Sequence, residues 1–244
     1  MTDMTVKTLR RSNRAYVLRY VLLSGTATRQ QIGEDCRLSV GSVTNVVNDL
    51  LEEGLLEETG SRPSGGGRPI ALLSPRAGGA HLIGVDVGEE GVAAELFDLR
   101  LQRLDRQFAR TADGHGGVVG IGEALREAVA RLWARHSDKA ATLVGIGLGL
   151  PGIVSTDGSG RQVLDAQSLG WPVVAVDDLL DLPELEGLPV DADNGATTLA
   201  AAENAFGAAR GAERAVVALL GRGVGLGLIE DGHPFRGRHG SAAE

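Results

Sequence analysis

The feature that most constrains this chain is the stretch Gly60 to Ala80 (GSRPSGGGRPIALLSPRAGGA), which separates two segments of different pattern. It holds Gly65-Gly66-Gly67, three prolines and Gly78-Gly79. Such residues punctuate a chain and do not build element interiors. Before it, apolar residues recur at helical spacing. After it, short apolar runs alternate with helical patterns. Two domains are therefore expected, at residues 1–77 and 78–244. Charge follows the same division. Residues 1–77 carry ten Lys/Arg and eight Asp/Glu, a net of +2, and residues 78–244 carry fourteen and twenty-four, a net of −10. A change of sign between halves points to different partners.

The composition excludes several classes. The chain has 244 residues, 43% apolar and 23% charged, a soluble globular balance. No apolar run approaches the ~18–20 residues that span a bilayer, so no membrane partner is expected. The basic N-terminus lacks the apolar segment of a signal peptide. The single cysteine, Cys36, rules out an internal disulfide framework and a cysteine-cluster zinc site, and the expected compartment is the cytoplasm.

The first segment reads as three helices. Arg14 to Leu23 places Ala15, Val17, Leu18, Val21 and Leu22 on one face. Ser24-Gly25 stops it. Thr28 with Gln31 forms a capping box for a short helix, Arg29 to Cys36. Ser39 caps a third helix, Val40 to Glu53, whose buried side holds Val43, Val46, Val47, Leu50 and Leu51. Strand-like runs at 55–59 and 69–73 then flank the glycine loop. Two short helices joined by a tight turn and followed by a hairpin form a winged helix-turn-helix. In that plan the third helix enters the major groove of double-stranded DNA. Gly41, Ser42, Thr44, Asn45 and Asn48 face outward, and Arg29 is placed for a phosphate. A helix exposed only for solubility carries more Glu and Lys pairs; a packing or dimerisation module is the alternative reading. In the loop, Arg68 among glycines suits a narrow minor groove. A net of only +2 implies modest non-specific affinity, which a dimer would double in contacts.

The second segment opens with His81 to Gly88, a buried strand ending in Asp86-Val87-Gly88. Strands at 91–99 and 101–109, an amphipathic helix at 116–136 and a strand at 143–150 follow. The chain then shows Gly145 to Gly152 ending in Pro151-Gly152, then Pro189 to Asn194 entering a helix through Glu203 to Phe206-Gly207. Gly221-Arg222-Gly223-Val224-Gly225-Leu226-Gly227 and Arg236 to Glu244 complete the set. In order and spacing these segments resemble the ROK family of repressors, open reading frames and sugar kinases. The N-terminal part, with its Gly-Gly-Arg-Pro loop, resembles the family's xylose- and N-acetylglucosamine-type repressor branch. The resemblance implies an α/β fold: a winged helix-turn-helix followed by an actin-like, ribonuclease-H-like ATPase-fold domain.

The departures from the family's kinases carry as much weight. Anchored on Glu203 and Phe206-Gly207, the position of the kinases' general-base Asp is Gly195. A glycine cannot take a proton from a sugar hydroxyl, and losing a general base costs about 10²–10⁴-fold. After Asp86 and Gly88, the small residues that admit phosphate are replaced by Glu89 and Glu90, whose charge repels a nucleotide. The second phosphate loop reads Gly221-Arg222-Gly223, with Gly225 beyond. Both phosphate loops are read as degenerate, no catalytic residue is assigned, and no cofactor is expected. What remains by resemblance is sugar recognition by Asn194 and Glu244, with Gly149 and Gly152 lining the cleft. Asn194 also fits a helix cap.

The family continues beyond the position of Glu244 with Gly-His, a cysteine-rich zinc loop and further helices. The expectation is a second lobe left incomplete, as in a fragment, a truncated product or a frameshifted frame. Its strands would lack covering helices, an aggregation liability, and no metal would be bound. The expected function is a dimeric DNA-binding transcriptional regulator, a repressor on a palindromic operator, responding to a sugar or sugar derivative in carbohydrate metabolism. The alternatives are a sugar kinase with an appended DNA-binding domain and a remnant without effector response.

Overall fold

The computed structural model describes residues 6–63, 69–111, 117–221, 223–238, 240 and 242. Packing divides the chain into two compact units. One runs to His81 and includes the turn Asp98–Gln102; the other comprises Leu82–Phe97 and Arg103 onward.

The first unit contains α1 (Val6–Ser24), α2 (Arg29–Asp35) and α3 (Val40–Glu52), then β1 (Leu56–Arg62) paired antiparallel with β2 (Ile70–Pro75). Local chemistry sets the boundaries. The Thr28 hydroxyl accepts from Gln31 N at 3.2 Å while the Gln31 side chain accepts from Thr28 N at 2.9 Å, the reciprocal capping box. Ser39 Oγ accepts from Ser42 N and opens α3. Gly54, at φ +71°, reverses the chain after α3, a conformation that favours glycine. Val17, Val21, Ile32, Val43, Val47, Leu50 and Leu73 are buried together beneath the three helices. Paired backbone hydrogen bonds of 2.9 Å between Ala27 and Leu73 tie the α1–α2 connection to β2.

Helix α1 begins at Val6, eight residues before the periodicity predicts. The extension is tertiary in origin. Arg10 Nη2 donates to Asp49 Oδ2 at 2.6 Å, and Arg14 pairs with Glu53, so the polar first turns are held by α3. The turn Asp98–Gln102 belongs to this unit. Arg100 Nε donates to Pro75 O at 2.9 Å and Leu99 N to Ala77 O at 3.1 Å.

The second unit is built on a five-stranded sheet in the order β10-β6-β3-β4-β5. Its strands are β3 (His81–Gly88), β4 (Gly91–Asp98), β5 (Arg103–Arg110), β6 (Leu143–Leu150) and β10 (Val190–Asn194). β10 runs parallel to β6, and β4 and β5 form an antiparallel hairpin. Helix α4 (Gly117–His136) buries Ile121, Leu125, Ala128, Val129, Leu132 and Trp133, positions three and four apart that form one stripe. This stripe joins Ile83, Leu96, Ile146 and Leu148 in one core. A small antiparallel sheet, β7 (Ile153–Thr156), β8 (Gln162–Asp165) and β9 (Val174–Ala175), precedes the short α5 (Val176–Leu179). The periodicity did not mark it.

After β10 comes α6 (Gly195–Phe206), then the antiparallel sheet β11 (Ala215–Leu220), β12 (Val224–Glu230) and β13 (His233–Phe235). The expectation that these strands stand without a covering helix is overturned, because α6 packs on β12 and β11. Glycine is the reason. A Cβ at Gly227 would collide with the Ala196 carbonyl and Ala200, and one at Gly225 would approach Ala196 Cβ to 3.1 Å. Bare backbone on the strand and alanines on the helix let the two elements touch. The opposite face of the sheet leaves Val216, Leu220, Val224 and Phe235 exposed.

Helix α4 is anchored to the sheet edge by charge. The Asp105 carboxylate accepts from His136 and Arg135 at 2.9 Å each and from Arg106 N at 2.7 Å. The hydrogen bond with His136 does most to pull this carboxyl down to about 2. A folded-state value below the unfolded one means the stabilisation is complete above about pH 4 and is lost as pH falls toward 2. In urea melts between pH 5 and pH 2, wild type should therefore exceed Asp105→Asn most at pH 5, and the gap should close toward pH 2.

Candidate functional site

Each unit brings one set of the singled-out residues together. In the first unit these lie on α3 and the start of α2. Val43, Val46, Val47 and Leu50 point into the core, which turns Gly41, Thr44, Asn45 and Asn48 outward, all exposed. Ser42 is half-buried and its hydroxyl lies 2.9 Å from that of Ser39, so it serves the helix start as well as the surface. The Thr44 hydroxyl donates to Val40 O at 2.8 Å. Among the described residues, neither Asn45 nor Asn48 has a side-chain hydrogen-bond partner, so both amides face solvent. Arg29 donates to Glu58 Oε1 at 3.1 Å. The guanidinium expected to meet a phosphate is thus held on β1, with further N–H donors still available. Arg68 lies outside the described residues.

The polar positions of α3 that do form ion pairs lie on its other flank. Asp49 and Glu53 face α1 and meet Arg10 and Arg14. The negative charges of Asp49 and Glu53 are thereby matched within the unit, whereas Glu52, exposed in the last turn of α3, has no ion pair among the described residues; the positions Gly41 to Asn48 themselves carry no charge. A surface of this kind, uncharged and rich in amide groups, can approach base edges without repelling a polyanion.

In the second unit the parallel pairing of β10 with β6 sets Asp193 opposite Gly149 and Asn194 opposite Leu150. Asn194 ends β10 and caps α6. Its Oδ1 accepts from Ala196 N at 2.8 Å and Thr197 N at 3.2 Å, and its Nδ2 donates to Gly152 O at 3.0 Å. The structural role foreseen for Asn194 as a cap is therefore real. Gly152 sits at φ +110°, where a Cβ would lie 2.7 Å from Asp165 O and 2.9 Å from Ala166 Cβ. Gly149 is equally closed in, for a Cβ there would stand 3.1 Å from Thr198 Oγ1 and 3.6 Å from Asp86 Oδ1. Gly149, Gly152 and Asn194 thus converge, with Asp86 beside them. Glu244 lies outside the described residues.

Asp86 is held above the ordinary carboxylate range, first by the surrounding protein and then by the charge of Glu95, with Arg106 opposing. Asp193 does not stand free to act as a base, since its Oδ2 accepts from Arg236 Nε at 2.7 Å. Gly195 is the first residue of α6. Thr198 and Asp165 were not singled out by the sequence, and Arg236 only as the start of the last segment. Thr198 lies one turn along α6 from Asn194, Asp165 ends β8, and Arg236 comes from just after β13.

The two phosphate-loop segments also meet. The Glu89 carboxylate lies against Gly221, where any side chain would collide with it. Gly221 N donates to Gly223 O at 3.0 Å across the same turn. Gly88 and Gly223 have room around them, whereas Gly225 is taken up by the contact with α6. Arg222 and His239 lie outside the described residues. Among the described residues there is no cluster of three or more His, Cys, Asp or Glu able to hold a metal, and no helix is long and apolar enough to cross a membrane.

Comparison with known proteins gives a consistent picture. A family model described as ROK family matches residues 82–244. The DNA-binding transcriptional dual regulator NagC of Escherichia coli (strain K12) is 29% identical over 241 residues, which is 98% of this chain and 57% of that protein. The xylose repressor of Bacillus subtilis (strain 168) is 24% identical over 237 residues, 97% of this chain and 60% of that protein. This chain spans 57% and 60% of the lengths of these two relatives. Among solved structures, a ROK family transcriptional regulator described as a homolog of the E. coli MLC protein superposes with a TM-score of 0.72 at 22% identity. It covers 97% of this chain and 58% of its own, and shows the shared fold. A ROK family glucokinase from Streptomyces griseus, in complex with glucose and AMPPNP, gives a TM-score of 0.55 at 31% identity, with coverage of 68% and 49%.

The cap at Asn194 is directly testable. Asn194→Ala removes two accepted hydrogen bonds at the start of α6 and one donated to Gly152. It should destabilise the second unit by about 1 kcal/mol, the usual cost of losing such a cap, read as a lower urea midpoint with an unchanged slope.

Proposed function

The chain belongs to the ROK family, and from that premise we propose that it is a DNA-binding transcriptional regulator of carbohydrate metabolism, a repressor whose ligand is a sugar or sugar derivative. The observation that carries this reading is α3, capped by Ser39, braced by α2, and exposing the uncharged face of Gly41, Thr44, Asn45 and Asn48. A recognition helix places its N-terminal residues against base edges in this way. The wing residue Arg68 reaches the minor groove, and Arg29 the backbone. The regulator acts as a homodimer on a palindromic operator, in the cytoplasm, where bacterial DNA lies. The N-terminal domain is residues 1–77 and the ligand-binding domain begins at 78.

The sugar site is formed around Asn194, Gly149 and Gly152, with Glu244. Sugar hydroxyls bind by hydrogen bonds in such a cleft. The ligand alters DNA affinity only through different affinities for two states of the protein. The similarity to the xylose repressor and to the glucokinase bound to glucose supports a carbohydrate ligand.

The reading as a kinase is disfavoured by three features. Gly195 supplies no base where the family's kinases carry Asp. Asp193 is engaged by Arg236. The Glu89 carboxylate occupies the approach to Gly221 and would repel nucleotide phosphates. Asp86, Gly88, Gly221, Gly223 and Gly225 are in this view relics of a phosphate site, and no cofactor is needed.

The full chain should shift DNA from upstream of its own gene in a salt-dependent manner. The double variant Asn45→Ala/Arg68→Ala should weaken binding at least tenfold, since each lost base contact costs ~1–3 kcal/mol; unchanged binding would remove α3 and the wing from the interface. With ATP and glucose, N-acetylglucosamine or xylose, no phosphorylated sugar should form, and turnover at ordinary kinase rates would restore the enzymatic reading.

A further inference from the structure

The exposed face of α3 carries a specific chemistry that the proposed function leaves open. The helix VGSVTNVVNDLLE contains no Lys or Arg. Arg or Lys paired with guanine O6 and N7 is the commonest specific base contact in the major groove, and α3 cannot make it. The nearest basic residue before it is Arg37, in the α2–α3 turn at φ +54° and exposed.

What α3 presents in its place is apolar and amide. Val40, its first residue, is 84% exposed, the highest value among the large apolar residues described. It packs into no core. Thr44 lies one turn further on the same face, and its hydroxyl is already donated to Val40 O at 2.8 Å. The hydroxyl is thus committed to the helix, and the γ-methyl is the remaining group at that position. Gly41 beside them has open space around its Cα. Beyond this apolar patch come the amides of Asn45 and Asn48. In the major groove an apolar side chain meets the thymine 5-methyl, and an Asn amide matches adenine N6 and N7 in a bidentate pair.

We propose that α3 reads A·T base pairs, with Val40 and the Thr44 methyl against a thymine methyl and Asn45 on an adjacent adenine, and that Val40 is a specificity-determining residue. The inference rests on the DNA-binding reading of α3. Guanine is disfavoured at these positions because no donor on α3 carries a charge and a fork to meet O6 and N7. Val40 is suited to testing because an exposed side chain at a helix start can be truncated with the fold intact.

The test uses the full chain and a pool of duplexes with a random core. Repeated selection should enrich a half-site, and missing-contact footprinting should locate the major-groove positions. Enrichment of nothing would overturn the DNA reading and this inference together. Given an enriched half-site, A·T pairs should stand at the contacted positions; G·C pairs there would overturn the inference and leave DNA binding intact. Replacing each contacted thymidine by deoxyuridine, which removes the methyl alone, should weaken wild-type binding about fourfold at one or two positions, the worth of one buried methyl. Val40→Ala should reduce the fourfold difference between the thymidine and deoxyuridine duplexes to about twofold or less, the remainder coming from the Thr44 methyl, while retaining the wild-type circular dichroism spectrum. A wild type indifferent to the methyl, or a Val40→Ala variant that distinguishes the two duplexes as fully as wild type, would refute the role of Val40.

Discussion

The second unit is organised around one side chain at the end of β10. Asn194 accepts from two backbone amides of α6 and donates to the carbonyl of Gly152. Three elements therefore depend on it: the strand it ends, the helix it starts and the turn that leaves β6. A buried or half-buried amide is satisfied only when donor and acceptor sides both find partners, and here they do so on different segments. The glycines around it follow from that convergence. Gly149 and Gly152 lie where Cβ atoms would meet Thr198, Asp165 and Ala166. These positions are thus closely packed, and glycine is what the spacing admits.

The same α6 then carries the second sheet. Its alanines meet the glycines of β12, and this close contact covers one face of a sheet that the family resemblance left without a covering helix. Gly225 illustrates how a motif residue can change meaning. The resemblance reads its segment as a degenerate phosphate loop; in the structure its lack of a side chain serves helix-on-strand packing. Glu89 against Gly221 is a second contact of this kind, a carboxylate packed where only a glycine fits.

In the first unit, charge is distributed by partner. Arg10 and Arg14 meet Asp49 and Glu53 between α1 and α3, and Arg29 meets Glu58. Exposed pairs of this type contribute little stability. Their consequence is that Asp49 and Glu53 are engaged by α1, while Gly41, Thr44, Asn45 and Asn48 carry no charge and Glu52 stays exposed in the last turn of α3. The small net charge of this half follows from the near balance of ten basic and eight acidic residues.

Much of this was legible in the sequence. The capping box at Thr28, the cap at Ser39, the stripe of α4 and the runs that became β3, β6 and β12 are local signals: a polar cap beside a periodic apolar pattern, or a short run long enough to be a buried strand. They depend on residues three or four apart, so one segment contains all the information. The small sheet β7–β9 was not legible, because its strands are short and pair only with one another. Nor were the first turns of α1, which are polar and gain their partners from α3. For the candidate site, the family resemblance singled out Gly149, Gly152 and Asn194, and the structure brings these three together. Tertiary structure alone decided that Asp193 is bound by Arg236, that Glu89 lies on Gly221 and that α6 covers β12. Each joins residues far apart in the chain, and such contacts form only once strand register and helix packing have brought their backbones together.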